Sequence, residues 1–151
     1  MWPIRWPERC RKGAFAVDEN TRKVVERWLM KAGNDLRTAE SVLRVSPPIA
    51  DTACFHAQQC VEKMLKAVLT AKGKHVERTH SLPKLLELAG REDTELNSLM
   101  ETSVELTDYA LTGRYPDDWR DISIEEAKAA VHMASQAMEL MMEKLKAWMA
   151  E

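Results

Sequence analysis

The sequence predicts an all-α protein, an up-and-down antiparallel bundle of four main helices plus one short helix. Apolar residues recur at alternating steps of three and four over long stretches. Glycines and prolines fall mostly between those stretches. No segment shows the strict alternation of a half-buried strand over a convincing length. At 151 residues one domain is expected, large enough to bury a core without disulfide or metal support. A net charge of −2 gives no electrostatic argument for wrapping duplex DNA. No run reaches the roughly 18 apolar residues that a membrane crossing needs.

Residues 1–17 form an extension ahead of the domain at 18–151. Arg5, Arg9, Arg11 and Lys12 oppose one acid, Glu8, and are interleaved with Trp2, Trp6 and Phe15. Basic residues among aromatics suit a nucleic-acid arm; the alternative is a segment that docks its tryptophans on the domain or on a partner subunit. It has no apolar stretch of signal-peptide length, so it is not expected to direct secretion.

The first helix is expected over Glu19 to Arg44, capped by Asp18 or Asn20, with Val25, Trp28, Leu29, Ala32, Leu36, Ala39 and Leu43 as its buried stripe. Ser46-Pro47-Pro48 stops it.

The central helix, Asp51 to Lys72, organises the rest. Ala50, Cys54, Ala57, Val61, Met64 and Val68 mark one face, and Phe55, Leu65 and Leu69 widen it enough to meet more than one neighbour. A polar row crosses that surface: His56, Gln59, Lys63 and Lys66, with Gln58 and Glu62 alongside. Such a row is either a binding surface or a solvated stripe with an internal Glu62–Lys66 pair. Asp51 is expected to cap this helix and Gly73 to end it.

Ser81 or Thr79 is expected to cap a short helix that has Pro83 in its first turn and ends at Gly90. A fourth helix is predicted as one piece from Thr94 to Leu111, with Leu96, Leu99, Met100, Val104 and Leu106 inward. Thr112 to Trp119 is a connector rich in turn residues. Ser123 and Glu126 then make a capping box for a last helix whose Ile124, Ala127, Val131, Ala134, Met138, Met141, Leu145 and Trp148 repeat without interruption.

Of the three cysteines, Cys10, Cys54 and Cys60, the last two point in different directions on one helix, so no disulfide joins them. An odd, unpaired set suits a reducing cytoplasm. His56 and Cys60 stand one helical turn apart, but no second ligand pair accompanies them, and neither a metal nor any other cofactor is expected.

Four stretches together resemble the HEPN domain family. Phe55-His56-Ala57-Gln58-Gln59-Cys60-Val61-Glu62-Lys63, continuing to Leu65-Lys66-Ala67, resembles its signature helix. Trp28-Leu29-x-Lys31-Ala32-x-x-Asp35-Leu36 resembles its opening helix, and Thr79-His80-x-Leu82 its connector into the short helix. Leu106-x-x-Tyr109 followed by Arg114-Tyr115-Pro116 resembles its turn before the last helix. The resemblance spans about Asp18 to Trp148 and implies a helical bundle that dimerises. It also implies action beside a minimal nucleotidyltransferase, as in two-gene toxin–antitoxin modules, or RNA cleavage without metal. The cleaving members carry an arginine and a histidine four to six residues apart near the start of the last helix.

This sequence departs from that last pattern. Arg114 stands where the arginine belongs, yet positions 119 to 121 are Trp119, Arg120 and Asp121, and the next histidine is His132. Arg78 and His80 are too close together to replace the pair. Metal-free cleavage needs a base for the 2′-hydroxyl proton and a stabiliser for the phosphate; Arg114 can supply only the second. Binding survives this loss better. Arginine offers a phosphate a donor fork and tyrosine offers a base a flat face. The sequence therefore points to Arg114, Tyr115, Lys63, Gln59, His56 and His80 as nucleotide- or RNA-binding residues, with no catalytic set. Two bland readings stand beside this: Arg114 pairs with Asp117 or Asp118, and His56 is a hydrogen-bonded core residue. The rival function is an RNase using His80 or His56 with Arg114 and Lys63.

Overall fold

The computed structural model describes residues 17–110, 117 and 120–149, and everything in the described part is helix or connector. The basic N-terminal segment up to residue 16, with Cys10, lies outside the described residues, as do Arg114 and Tyr115. The helices are α1 (Glu19–Val42), α2 (Ala50–Ala71), α3 (Leu82–Gly90), α4 (Thr94–Asn97), α5 (Met100–Thr107) and α6 (Ile124–Trp148), with a 3-10 turn at Asp108–Ala110. The all-α expectation holds. No helix is long and apolar enough to cross a membrane among the described residues.

The core is built around α2. Its Cys54, Ala57, Val61, Met64, Leu65, Val68 and Leu69 are all fully buried or within a percent of it. α1 runs antiparallel to it, as Asp35 meets both His56 and Lys63 while Trp28, a little under two turns earlier, meets Lys66 further along. α6 lies on another side and runs in the same direction as α2. Its Met138 touches Cys60 and its Trp148 ring sits under Lys72. Between them the chain goes down through α4 and α5, so the four main passes alternate in direction.

Local chemistry explains most boundaries. Asp18 accepts the amide of Thr21 at 3.0 Å and so caps α1. Ser81 caps α3, and Ser123 caps α6 by accepting the Glu126 amide at 3.0 Å. Gly73, at φ +64°, closes α2. The Lys74 amide reaches back to Leu69 carbonyl at 2.9 Å and the Gly73 amide to Thr70 carbonyl at 3.0 Å, an arrangement that needs a left-handed residue between.

Three local expectations need correction. Asp51 does not cap α2; Ile49 holds that position without a side-chain bond, and Asp51 lies in the first turn, taking the Thr52 amide at 2.7 Å. Its charge still suits the positive end of the helix. The predicted Thr94–Leu111 helix is broken into α4 and α5. Ser98 ends α4, its hydroxyl donating to Glu95 carbonyl at 2.6 Å, a local bond that competes with helix continuation. The break resets the helical phase, so Leu96, Leu99, Ser103 and Leu106 face inward while Val104 is 56% exposed and Met100 37%. Ile124, at the first turn of α6, is likewise 37% exposed.

Candidate functional site

The polar row predicted on α2 is the centre of one continuous hydrogen-bonded chain, and two carboxylates hold it together. Asp35, on α1, accepts from His56 Nδ1 at 2.8 Å through one oxygen and from Lys63 Nζ through the other. Lys63 also donates to Gln59 Oε1 at 3.3 Å. Gln59 Nε2 donates to Gln58 Oε1 at 2.8 Å and to Glu62 Oε2 at 3.3 Å. Glu62 then accepts from Lys66 at 2.7 Å, from Gln58 at 3.2 Å and from His80 Nδ1 at 3.0 Å. His56 is thereby linked to His80 through Asp35, Lys63, Gln59 and Glu62.

Helical spacing builds half of this by itself. His56, Gln59, Lys63 and Lys66 follow steps of three and four, so they stack along one stripe. Tertiary packing supplies the rest. The antiparallel approach of α1 brings in Asp35, and the doubling back of residues 74–81 brings in His80, whose carbonyl also accepts Gln58 Nε2 at 3.2 Å. Ser81 and the Leu82 amide then fix the entry to α3, the latter by donating to Thr107 Oγ1 at 3.1 Å.

Burial is graded across the row. The Glu62 and Asp35 side chains are only 5% and 12% exposed, Lys66 and Lys63 are 11% and 20%, and the two histidines open to solvent at 27% and 56%. Burial pushes the Glu62 carboxyl up, and the hydrogen bonds from Lys66, His80 and Gln58 more than reverse it, leaving it below the usual carboxylate range. Glu62 is therefore an anion at neutral pH. A carboxylate can only accept, so the proton of each histidine's bonded nitrogen sits on Nδ1, and Nε2 is the nitrogen left for a ligand. Lys66 lies 5.7 Å from the centre of the Trp28 ring, which adds an aromatic wall to the α1 side.

A second cluster stands at the start of α6. Tyr109 donates to Glu126 Oε1 at 2.6 Å, and Arg120 grips the same carboxylate with both terminal nitrogens, at 2.6 and 3.0 Å. The Arg120 fork, followed by Tyr109, holds the Glu126 carboxyl down at about 2. The Tyr109 phenol is pushed up by burial and by that same carboxylate.

Four of the sequence-predicted site residues, His56, Gln59, Lys63 and His80, are thus brought into one network. His56 is hydrogen-bonded as expected, though partly exposed rather than in the core, and Glu62 pairs with Lys66 as expected, though in a buried rather than a solvated stripe. Arg114 and Tyr115 lie outside the described residues, so their distance to Lys63 and Gln59 is not part of this geometry. Sequence reasoning missed the role of Asp35, although an acid in register with Ala32 and Ala39 on a buried stripe signals a waiting partner. It also missed Tyr109, Arg120 and Glu126 as a unit. No group of three or more His, Cys, Asp or Glu able to hold a metal occurs among the described residues.

A compact all-α bundle whose central helix carries a carboxylate-anchored polar seam is the class of protein that this fold and site define. A model of the HEPN domain matches residues 25–145, and the chain belongs to that family. Among solved structures, TT1696 from Thermus thermophilus is similar at 31% identity and a TM-score of 0.70, the match covering 80% of this chain and 97% of that one. ST0689, described as an archaeal HEPN homologue, shares the fold at 24% identity and a TM-score of 0.64, with the same coverage. No curated protein matches the chain.

Proposed function

We propose that this protein is a HEPN-type nucleotide- or RNA-binding module that works as a homodimer beside a minimal nucleotidyltransferase, in the manner of toxin–antitoxin pairs, and that it has lost the family's RNase pair. The observation that carries the binding half is the chain from His56 to His80. Donors that would otherwise be flexible are held by Asp35 and Glu62 before any ligand arrives, which lowers the ordering cost of binding. Arg114 and Tyr115 are assigned to phosphate and base respectively. A cytoplasmic location goes with this reading, since Cys54 and Cys60 are free thiols.

The loss of cleavage rests on the positions after Arg114, where 119 to 121 hold Trp119, Arg120 and Asp121 and no histidine. The nearby acid of the second cluster, Glu126, does not replace it. A carboxyl held at about 2 is a poor base for a hydroxyl proton. Its partner guanidinium is already occupied by a bidentate bond.

Fluorescence anisotropy with a labelled single-stranded RNA and, separately, with ATP tests the reading. Lys63→Ala and His80→Ala should each weaken binding about tenfold, the loss of one good charge-assisted contact. Unchanged affinity in both variants would remove the seam from the binding site.

One observation favours the rival enzyme. A histidine whose Nδ1 is fixed by a carboxylate presents Nε2 as an oriented base, and His56 and His80 both have this arrangement. Metal-free RNA cleavage abolished by His80→Ala, with helical content intact, would establish that reading instead.

A further inference from the structure

One face of α5 has no partner. Ser103 and Leu106 turn inward, while Met100, Glu101, Val104, Glu105 and Asp108 form a single outward stripe at steps of three and four. Val104, 56% exposed, is the most exposed large apolar side chain among the described residues. Glu101 and Glu105, one turn apart beside it, meet no cation among those residues. The surroundings carry one sign of charge: Glu92 to Asp108 holds six acids and no lysine or arginine. Lys144 pairs with Asp93 and Glu95 but with none of the acids on the stripe.

The opposite composition lies in residues 1–16, where Arg5, Arg9, Arg11 and Lys12 face one acid and Trp2, Trp6 and Phe15 are interleaved. We propose that the α5 stripe docks this chain's own N-terminal segment, its tryptophans on Val104 and Met100 and its arginines against Glu101 and Glu105. Aromatic and apolar surface would be covered together, with opposite charges at the rim.

Connectivity permits this pairing. Trp28 lies against Lys66 and α1 runs antiparallel to α2, so residue 17 stands at the end of the bundle where α2 finishes. α5 begins at that same end: Asp93, seven residues before Met100, is held by Lys144 near the close of α6, and Lys144 and Lys72 flank one Trp148 ring. α1 and α5 both pack on α2, so the path between them crosses three helix widths, about 30 Å. The eleven residues from Trp6 to Val17 span about 36 Å when extended. Such a tether holds the segment at an effective concentration on the order of millimolar, so a few exposed contacts suffice.

Other exposed apolar side chains suit a basic segment less. Val24 and Met30 stand among Lys23, Arg27 and Lys31 on α1, and Val45 follows Arg44. Ile49 and Ile124 lie at the far end of the bundle, where α2 and α6 begin.

The test uses Cys10 of the full chain. Cys54 and Cys60 are buried, so a nitroxide thiol reagent labels the segment alone. Amide line broadening is read by NMR against the same sample after the nitroxide is reduced. Amides of residues 100–108 should lose most of their intensity while those around Met30 keep theirs. The double charge reversal Glu101→Lys with Glu105→Lys, at exposed positions, should restore them and leave the rest of the spectrum in place. Broadening confined to the first turn of α1 would overturn the docking and leave the basic segment to RNA. Broadening centred on another face would overturn the site, and equal broadening in the charge-reversed chain would overturn its electrostatic basis. An isotope-labelled Cys10→Ser chain mixed with nitroxide-bearing unlabelled chain should show no broadening; broadening of residues 100–108 there would make the occupant a second copy's segment and overturn docking within one chain.

Discussion

Asp35 Oδ1 lies 2.8 Å from His56 Nδ1 across the α1–α2 interface. The other oxygen of that carboxylate holds Lys63, so a single α1 side chain sets two positions of the α2 row. The interface that builds the core is therefore also the one that positions the candidate site, and damage to one should register in the other.

Asp35→Ala is expected to lower unfolding free energy by about 2–3 kcal/mol, because a mostly buried ammonium and an imidazole both lose their acceptor. Lys63→Met should cost less, about 1 kcal/mol, since Asp35 keeps His56. Urea denaturation of both variants and of the double variant checks this. Equal losses would show that the two bonds to Asp35 are not coupled as drawn.

Stability should fall on acidification through the Tyr109–Arg120–Glu126 cluster. The folded Glu126 carboxyl is depressed from 4.5 to about 2, so its contribution is fully present above the unfolded value of 4.5. It is lost as pH drops from there toward about 2. Glu62, also depressed, acts in the same direction. Arg120→Ala should flatten the acid limb of a plot of melting temperature against pH by lowering the neutral plateau, the variant and wild-type curves converging as pH falls toward about 2. An acid limb as steep as that of wild type would rule the cluster out as its source.

Neither described cysteine should react in the native state. Burial first, and then the Glu126 field, pushes Cys54 up to about 11; burial and then Asp35 push Cys60 to about 12. Thiolate is the reactive form and both side chains are enclosed. A Cys10→Ser variant treated with a thiol-disulfide reagent at neutral pH should therefore release no chromophore until denaturant is added. Rapid native labelling would contradict the burial of α2.

The polar row on α2 was legible because helical periodicity places its members together without help from the rest of the chain. His56, Gln59, Lys63 and Lys66 needed only their spacing. Their anchors were hidden, since Asp35 reaches them across 21 residues and His80 reaches Glu62 only after the chain doubles back. Ser98 shows a different limit. Neither glycine nor proline marks the break between α4 and α5, which depends on one hydroxyl choosing the Glu95 carbonyl. Glu126 was recognised as part of a capping box, and Ser123 does cap its amide, but the carboxylate serves mainly Arg120 and Tyr109. Spacing identifies who can meet within a helix; which of several partners an acid takes depends on the neighbouring elements.

Binding without cleavage is tested most directly by incubating the purified protein, free of divalent metal, with labelled RNA. Complex formation and chain cleavage are followed together, with Lys63→Ala and Arg114→Ala in parallel. The expected result is a complex in wild type, weakened in both variants, and intact RNA throughout. Cleavage by wild type that disappears in Arg114→Ala would contradict this and make the chain a nuclease with His56 or His80 as its base.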